Sequence, residues 1–526
     1  MKRFRFIYAI ALLALLSQSC DEFLDVMPDN RTELDTQEKI RSFLTSAYPE
    51  TDYMLLTEFS SDNVDDYGED NPNHDRFIDQ VFGWEDITES NKESNENLWG
   101  NTYIAIAAAN QAIEAINDLG GAEAADMQAE MAEALLCRAY SHFILVNVFA
   151  QAYTEEYAST DPGVTYMQQP EQGLDPKYER NSVAECYVLM EKDIEAALPY
   201  VSDSYYSVPK YHFNKKAAYA FAARFYLFYE KWDQAEKYAT LCLGSQPATM
   251  LRDWKTMAGM TQDYEVLTQH YIDASLNCNL LELTAYSNMG LCFGPYSIYS
   301  KYSHGSYLAN YETGIALATL LGKTNSAFYL QAMKIYSASN LDKTIFWKIP
   351  YLFEYTDPVA GVGYRRTVYP AFTADMALLE RAEARILQRE YDAAVDDMNI
   401  WLSNISKLTW ALTAEDINTL MAGVDYCTWD KGTVKKHLNP GFEIGEEGSI
   451  QENLLQFCLL LKRVEGLQLG TRWFDVNRYG IEIHRRVIAA TGLPDAEGDV
   501  LVVRDPRRAL QIPKKVIDAG YEANAR

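Results

Sequence analysis

"LFYEKWDQAEKYA", residues 227–239, and "ILQREYDAAVDDM", residues 386–398, carry one pattern twice. Each has an apolar lead, a short polar break, and then aromatic-Asp-x-Ala. The matched positions are Trp232-Asp233-Gln234-Ala235 and Tyr391-Asp392-Ala393-Ala394. Alanines on a helix face let a second helix approach closely, because interaxial distance follows the side chains at the contact. The aromatic then fills the elbow between the two. Both copies therefore predict a helical hairpin.

The flanking sequence agrees. In "EALLCRAYSHFILVNVF" (133–149) Leu135, Ala139, Phe143 and Val146 recur every three or four residues, one face of a 3.6-residue helix. "SVAECYVLMEKDIEAAL" (182–198) repeats that spacing, with Ser182 as N-cap and Pro199 as the stop. Asn214 opens a third long helical stretch, and residues 375–402 form a fourth. This is the grammar of tetratricopeptide hairpins, which also use A-x-x-x-F, here Ala139 to Phe143. The two copies lie 159 residues apart, so no 34-residue period survives and long insertions must interrupt the stack. The expected fold is mainly α: a tetratricopeptide-like hairpin scaffold with long irregular insertions and few short strands.

Two insertions stand out. Residues 52–100 are acidic and rich in Asn and aromatics; residues 286–311 hold seven aromatics among Gly and Ser with little helical periodicity. Loops held on a rigid scaffold are where binding is usually placed. With 48% hydrophobic residues the chain can bury a full core. Its formal charge of −29 repels nucleic acid, whose affinity comes from Lys and Arg on phosphate. The cysteines lie at wide, irregular spacings without C-x-x-C, so neither zinc nor thioredoxin chemistry is indicated. Buried free thiols are expected instead.

The first residues carry an address. The apolar run Ile7 to Leu16 is half the length a bilayer span needs and follows Lys2, Arg3 and Arg5, the pattern of a secretory signal. Ser17 and Ser19 precede Cys20 at the third and first positions, which makes residues 1–19 the signal and Cys20 the first mature residue. Such a cysteine resembles the lipid acceptor of bacterial lipoproteins, although the usual lipobox leucine is displaced to Leu16. Residues 20–526 are then read as a single domain.

Taken together, "CDEFLDVMPDNRTE" (20–33), "LWGNTYIAIAAANQAI" (98–113), "RAYSHFILV" (138–146), "LLKRVEGLQLGTRWFDVNRYG" (460–480) and the closing "ALQIPKKVIDAGYEAN" (509–524) resemble the SusD/RagB lipoproteins of Bacteroidetes. Arg463, Gly470, Arg472, Asp475 and Arg478 match that family's C-terminal block, while Gly466 and Leu469 stand where glutamates are common. The resemblance implies a lipid-anchored protein of the outer membrane's outer face. It implies a partner, a SusC-like TonB-dependent barrel, and a cargo, an oligosaccharide or in a minority of members a peptide. It implies binding and hand-over without cleavage or cofactor.

A sugar offers C–H groups on one face for aromatic stacking and hydroxyls at its rim for polar side chains. The expected platform is Tyr67 and Trp84 from the first insertion with Tyr296, Tyr299 and Tyr302 from the second; Asp66 and Arg76 are the polar partners. Replacing Trp84 and Tyr296 together is expected to abolish binding without unfolding. Trp99 and Tyr103 are assigned to the core. Catalytic signatures are lacking: no H-E-x-x-H, no G-x-S-x-G, a mis-spaced "GKT" at 322–324, and "GVGYRR" at 361–366 without its third glycine. "DNVDDYGEDN" (62–71) misses the calcium-loop pattern at Tyr67. No metal is assigned. A protein-interaction scaffold and a surface glycoside hydrolase are the readings from other classes.

Overall fold

The computed structural model describes residues 33–171, 177–338 and 340–526; the signal and Cys20 lie outside them. Among the described residues nine helices build the scaffold: α1 (Asn95–Asp118), α2 (Gln128–Phe149), α3 (Val183–Ala197), α4 (Lys215–Phe228), α5 (Trp232–Leu243), α6 (Ala374–Leu387), α7 (Tyr391–Ile405), α8 (Ala414–Ala422) and α9 (Ile450–Gly466). They pack as α1–α2–α3, α4–α5, α6–α7 and α8–α9, with α6 wedged among α4, α5, α7 and α9.

Local chemistry starts these helices where the sequence places them. Ser182 and Glu185 form a reciprocal capping box on α3, and Asn214 caps α4 through the Ala217 N–H (3.1 Å). The two matched elbows share one geometry. Glu230 (φ +61°) and Arg389 (φ +66°) each stand two residues before the aromatic in the left-handed region. The next N–H then reaches five residues back, Lys231 to Tyr226 O (3.0 Å) and Glu390 to Arg385 O (2.8 Å). Holding a non-glycine residue there costs roughly 1–2 kcal/mol. Burial of Ala235 and Ala394 directly behind each turn offsets that cost.

The strands gather the insertions. One sheet orders β3 (Tyr302–Ser303), β1 (Asp65–Asp66), β8 (Ile483–Ile488) and β9 (Pro494–Leu501), so the second insertion pairs with the first and the first with a C-terminal strand. A second orders β2 (Asn279–Tyr286), β7 (Val362–Thr373) and β6 (Leu352–Asp357); β4 (Met333–Ala338) pairs with β5 (Leu341–Ile345).

The first insertion departs from the expected solvated loop. The helix Met54–Ser60 is buried along its whole length. Its acids are internal counter-ions for the C-terminal arginines. Asp62 takes Arg472 on both oxygens (2.8 and 3.0 Å), and Asp65 takes Arg486 (2.7 Å). Glu312, just past the second insertion, binds Arg486 (2.6 Å), Lys436 (2.7 Å) and Arg463 (3.1 Å). Burial pushes the Glu312 carboxyl up, but these three cations outweigh it and hold the group far below the ordinary carboxylate range. With Gly466 and Leu469 in place of acids, Arg478 leans instead on Glu383 (2.8 Å) and Asp475 (3.3 Å). Six of the seven described cysteines are buried, and all seven are unpaired.

Candidate ligand-binding site

Of the five rings expected to form the platform, three are interior. Tyr302 stacks on Phe82 at 4.1 Å, and its hydroxyl meets Asp79 at 2.8 Å. Trp84 is 5% exposed; its indole N–H donates to Ser60 O (2.9 Å) and Arg485 lies 4.2 Å over the ring. Tyr67 packs with Tyr307 and Ile488, and its hydroxyl has no hydrogen-bond partner among the described residues. Rings closed on both faces by protein cannot stack on a sugar, so these three support the site without forming its surface. Asp66 is also engaged, with Lys301 at 3.2 Å. Arg76 is exposed and 3.6 Å from Glu89.

Tyr296 and Tyr299 remain half-open. Tyr299 has φ +56°, a left-handed kink that turns the chain back toward β3. Burial pushes its phenol up to about 12, Asp75 adds to the shift, and Arg365 opposes it. Tyr296 lies edge-on to Tyr351 (5.9 Å) and to Tyr264 (6.1 Å). Tyr264 also meets Trp347 (6.0 Å), which lines a cavity of about 290 Å³ with Trp254, Tyr329 and Met333.

Open rings stand instead on the β6–β7 hairpin, which the sequence reading did not single out. Its signal was legible: alternating aromatics Tyr351, Phe353 and Tyr355 ahead of the turn residues Asp357-Pro358 and Gly361. The Asp357 carboxylate closes the turn by accepting the Val359 and Ala360 N–H groups (both 2.9 Å). Strand alternation gives Tyr351, Phe353 and Tyr355 one face, opposite Arg365 and Gly363. Phe353 covers the bare backbone of Gly363; a Cβ there would fall 2.8 Å from the ring. Phe353 and Tyr355 contact each other at 4.8 Å and are 38% and 58% exposed. The other face carries Tyr364 and Arg366, with Tyr286 from β2 beside them.

A hydrogen-bonded chain fixes Arg365 of the hairpin. Glu93 accepts the Asn288 N–H (2.5 Å) and also binds its side-chain amide. The Asn288 side-chain oxygen in turn accepts from Arg365 (3.0 Å). Burial, reinforced by Asp52, pushes the Glu93 carboxyl up to about 8; burial pushes Asp52 to about 7.

A larger cavity, about 360 Å³, opens between α1 and the C-terminal segment and is lined by Trp99, Tyr103, Ile106, Met167, Val516 and Tyr521. Trp99 is interior as expected, while Tyr103 is half-buried at this cavity's wall. Tyr103 donates to Thr165 O (2.9 Å) and Asn110 to Met167 O (3.0 Å), while Gln169, Glu171, Tyr178 and Lys515 complete the lining.

An aromatic-edged surface on a tetratricopeptide-like scaffold defines a class. Residues 22–227 match a family model, SusD-like 3, described as starch-binding and associating with the outer membrane. The fold matches a SusD superfamily protein from Bacteroides thetaiotaomicron (TM-score 0.64, 17% identity, 93% of this chain and 100% of that one). It also matches a putative sugar binding protein from Bacteroides vulgatus (0.63, 17%, 94% and 99%). A laminarin binding SusD-like protein aligns at 0.55 and 14% identity over 93% and 99%. No curated protein sequence matches the chain. Residues 22–227 are thus similar to the SusD-like family, and the fold is that of SusD superfamily structures. Among the described residues no helix is long and apolar enough to cross a membrane.

Proposed function

We propose that this protein binds an oligosaccharide at the cell surface, held there by lipid on Cys20, and passes it to a SusC-like TonB-dependent barrel without cleaving it. The observation that carries the reading is the open aromatic file Tyr296, Tyr351, Phe353 and Tyr355 beside Arg365, Asn288 and Asp75. Apolar ring faces and directional polar groups alternate there as sugar recognition requires. The family's description and the sugar- and laminarin-binding structural neighbours support the same reading.

The test is a binding screen of the chain from residue 21 against glycans and peptides, with product analysis of each hit. A sugar face covering about a third of a ring's roughly 150 Å² gains on the order of 1.3 kcal/mol at ~25 cal/mol per Å². Tyr355→Ala should therefore weaken glycan binding about tenfold and leave the melting temperature unchanged. Retention of peptides alone, or release of new reducing ends, overturns the proposal. For the anchor and partner, Cys20→Ser should abolish acylation, and the acylated protein should bring down an outer-membrane barrel.

A further inference from the structure

The second face of the hairpin is cationic, in a protein whose formal charge is −29. The Tyr286 ring carries two cations: Lys92 Nζ lies 4.8 Å from its centroid and Arg366 Cζ 4.5 Å. Lys92 also stands 5.0 Å from the Tyr364 ring, which meets Tyr286 edge-on at 5.5 Å. Among the described residues Lys92 makes no ion pair. Arg366 pairs with Glu354 (2.8 Å), a half-exposed carboxylate at the edge of the sheet. Arg365, next along β7, lies on the opposite face beside Phe353 and is held by Asn288. The carboxylates underneath, Asp52 and Glu93, are pushed up by burial and carry less than full charge at neutral pH. Two cations, Lys92 and Arg366, thus meet on this face with one paired carboxylate beside them.

Tyrosine faces hold an ammonium and a guanidinium at a fixed spacing without neutralising them. A surface of this kind prefers a ligand bearing negative charge on a polyhydroxylated frame. We infer that Lys92 and Arg366 with Tyr286 and Tyr364 form a subsite for an anionic substituent of the glycan, a uronate carboxylate or a sulfate ester. The inference rests on the glycan-binding reading above and narrows it to acidic glycans. The net charge makes it testable. A strongly acidic protein repels polyanions, so any attraction must come from a local site and must weaken with salt over the Debye range.

The experiment is affinity electrophoresis of the chain from residue 21 through gels holding paired polymers. Polygalacturonate is run against its carboxyl-reduced form, and chondroitin sulfate against its desulfated form, with starch and laminarin as neutral glycans. The expected result is stronger retardation by the charged member of one pair, which identifies uronate or sulfate. That retardation should fall about tenfold in Lys92→Ala/Arg366→Ala and by less in Tyr355→Ala. Retardation by neutral glycans alone, unchanged in Lys92→Ala/Arg366→Ala, overturns the anionic subsite and leaves the glycan-binding reading standing. No retardation by any polymer overturns both. Thermal melting of each variant keeps a folding defect from passing as a binding loss.

Discussion

Gly305 is where the two insertions interlock, and a single methyl group there should loosen both. A Cβ built on Gly305 lands on the Tyr67 hydroxyl oxygen, with Tyr67 Cζ at 2.6 Å and Asp342 O at 3.0 Å. Tyr67 belongs to the first insertion and is 4% exposed; Gly305 follows β3 of the second. The ring has no open direction in which to retreat, because Tyr307 and Ile488 pack against it. Overpacking a closed core costs about 1–3 kcal/mol, and Gly305→Ala belongs at the upper end. Tyr67→Phe should cost nothing, since it deletes a buried hydroxyl without a hydrogen-bond partner among the described residues. In the Gly305→Ala background, Tyr67→Phe should recover part of the loss, because one of the two overlapping atoms is gone. Urea unfolding of the four species closes a double-mutant cycle, with an expected coupling of at least ~1 kcal/mol. Additive single effects would refute the interlock, as would a Gly305→Ala protein of unchanged stability.

Other expectations follow from the same packing. Trp84→Ala should destabilise by about 3–5 kcal/mol, since it removes a buried ring and uncovers Arg485; a variant that unfolds like wild type but fails to bind glycan would return Trp84 to the ligand surface. Glu312→Gln should cost about 3–5 kcal/mol by leaving Arg486, Lys436 and Arg463 short of a buried carboxylate, measured by chemical unfolding at pH 7. For Glu93 the folded pKa of about 8 lies above the unfolded one, so its contribution is fully present below about 4.5 and is lost as pH rises through about 8. Stability should thus fall by a few kcal/mol between pH 5 and pH 9, and Glu93→Gln should flatten that slope; an unchanged slope would remove Glu93 as its source.

Features set by near neighbours in sequence were readable, and those set by remote neighbours were not. Residues 227–239 and 386–398 encode their elbows locally, because the aromatic, the alanine and the break all act within one turn. Helical caps at Ser182 and Asn214 are local for the same reason. The tyrosine-rich segment is different. Tyr296 and Tyr302 have the same composition around them, yet one is open and the other closed. The difference lies in Phe82, which stacks on Tyr302 from more than two hundred residues away.

The acids of 62–66 pose the same problem with charge. Read alone, a run of Asp and Asn looks solvated. Its partners Arg463, Arg472 and Arg486 sit some four hundred residues later, and only the fold brings them within 3.5 Å. An unpaired buried carboxylate would be expelled, so burial of Asp62 and Asp65 is conditional on those arginines. The C-terminal block that carries the family resemblance is thus the counter-charge that turns the first insertion from a loop into core. With Tyr67, Trp84 and Tyr302 drawn inward by that ion network, open rings remain on the β6–β7 hairpin, at Phe353, Tyr355 and Tyr364. A binding face can change its rings there without disturbing the buried charges that hold the insertions together.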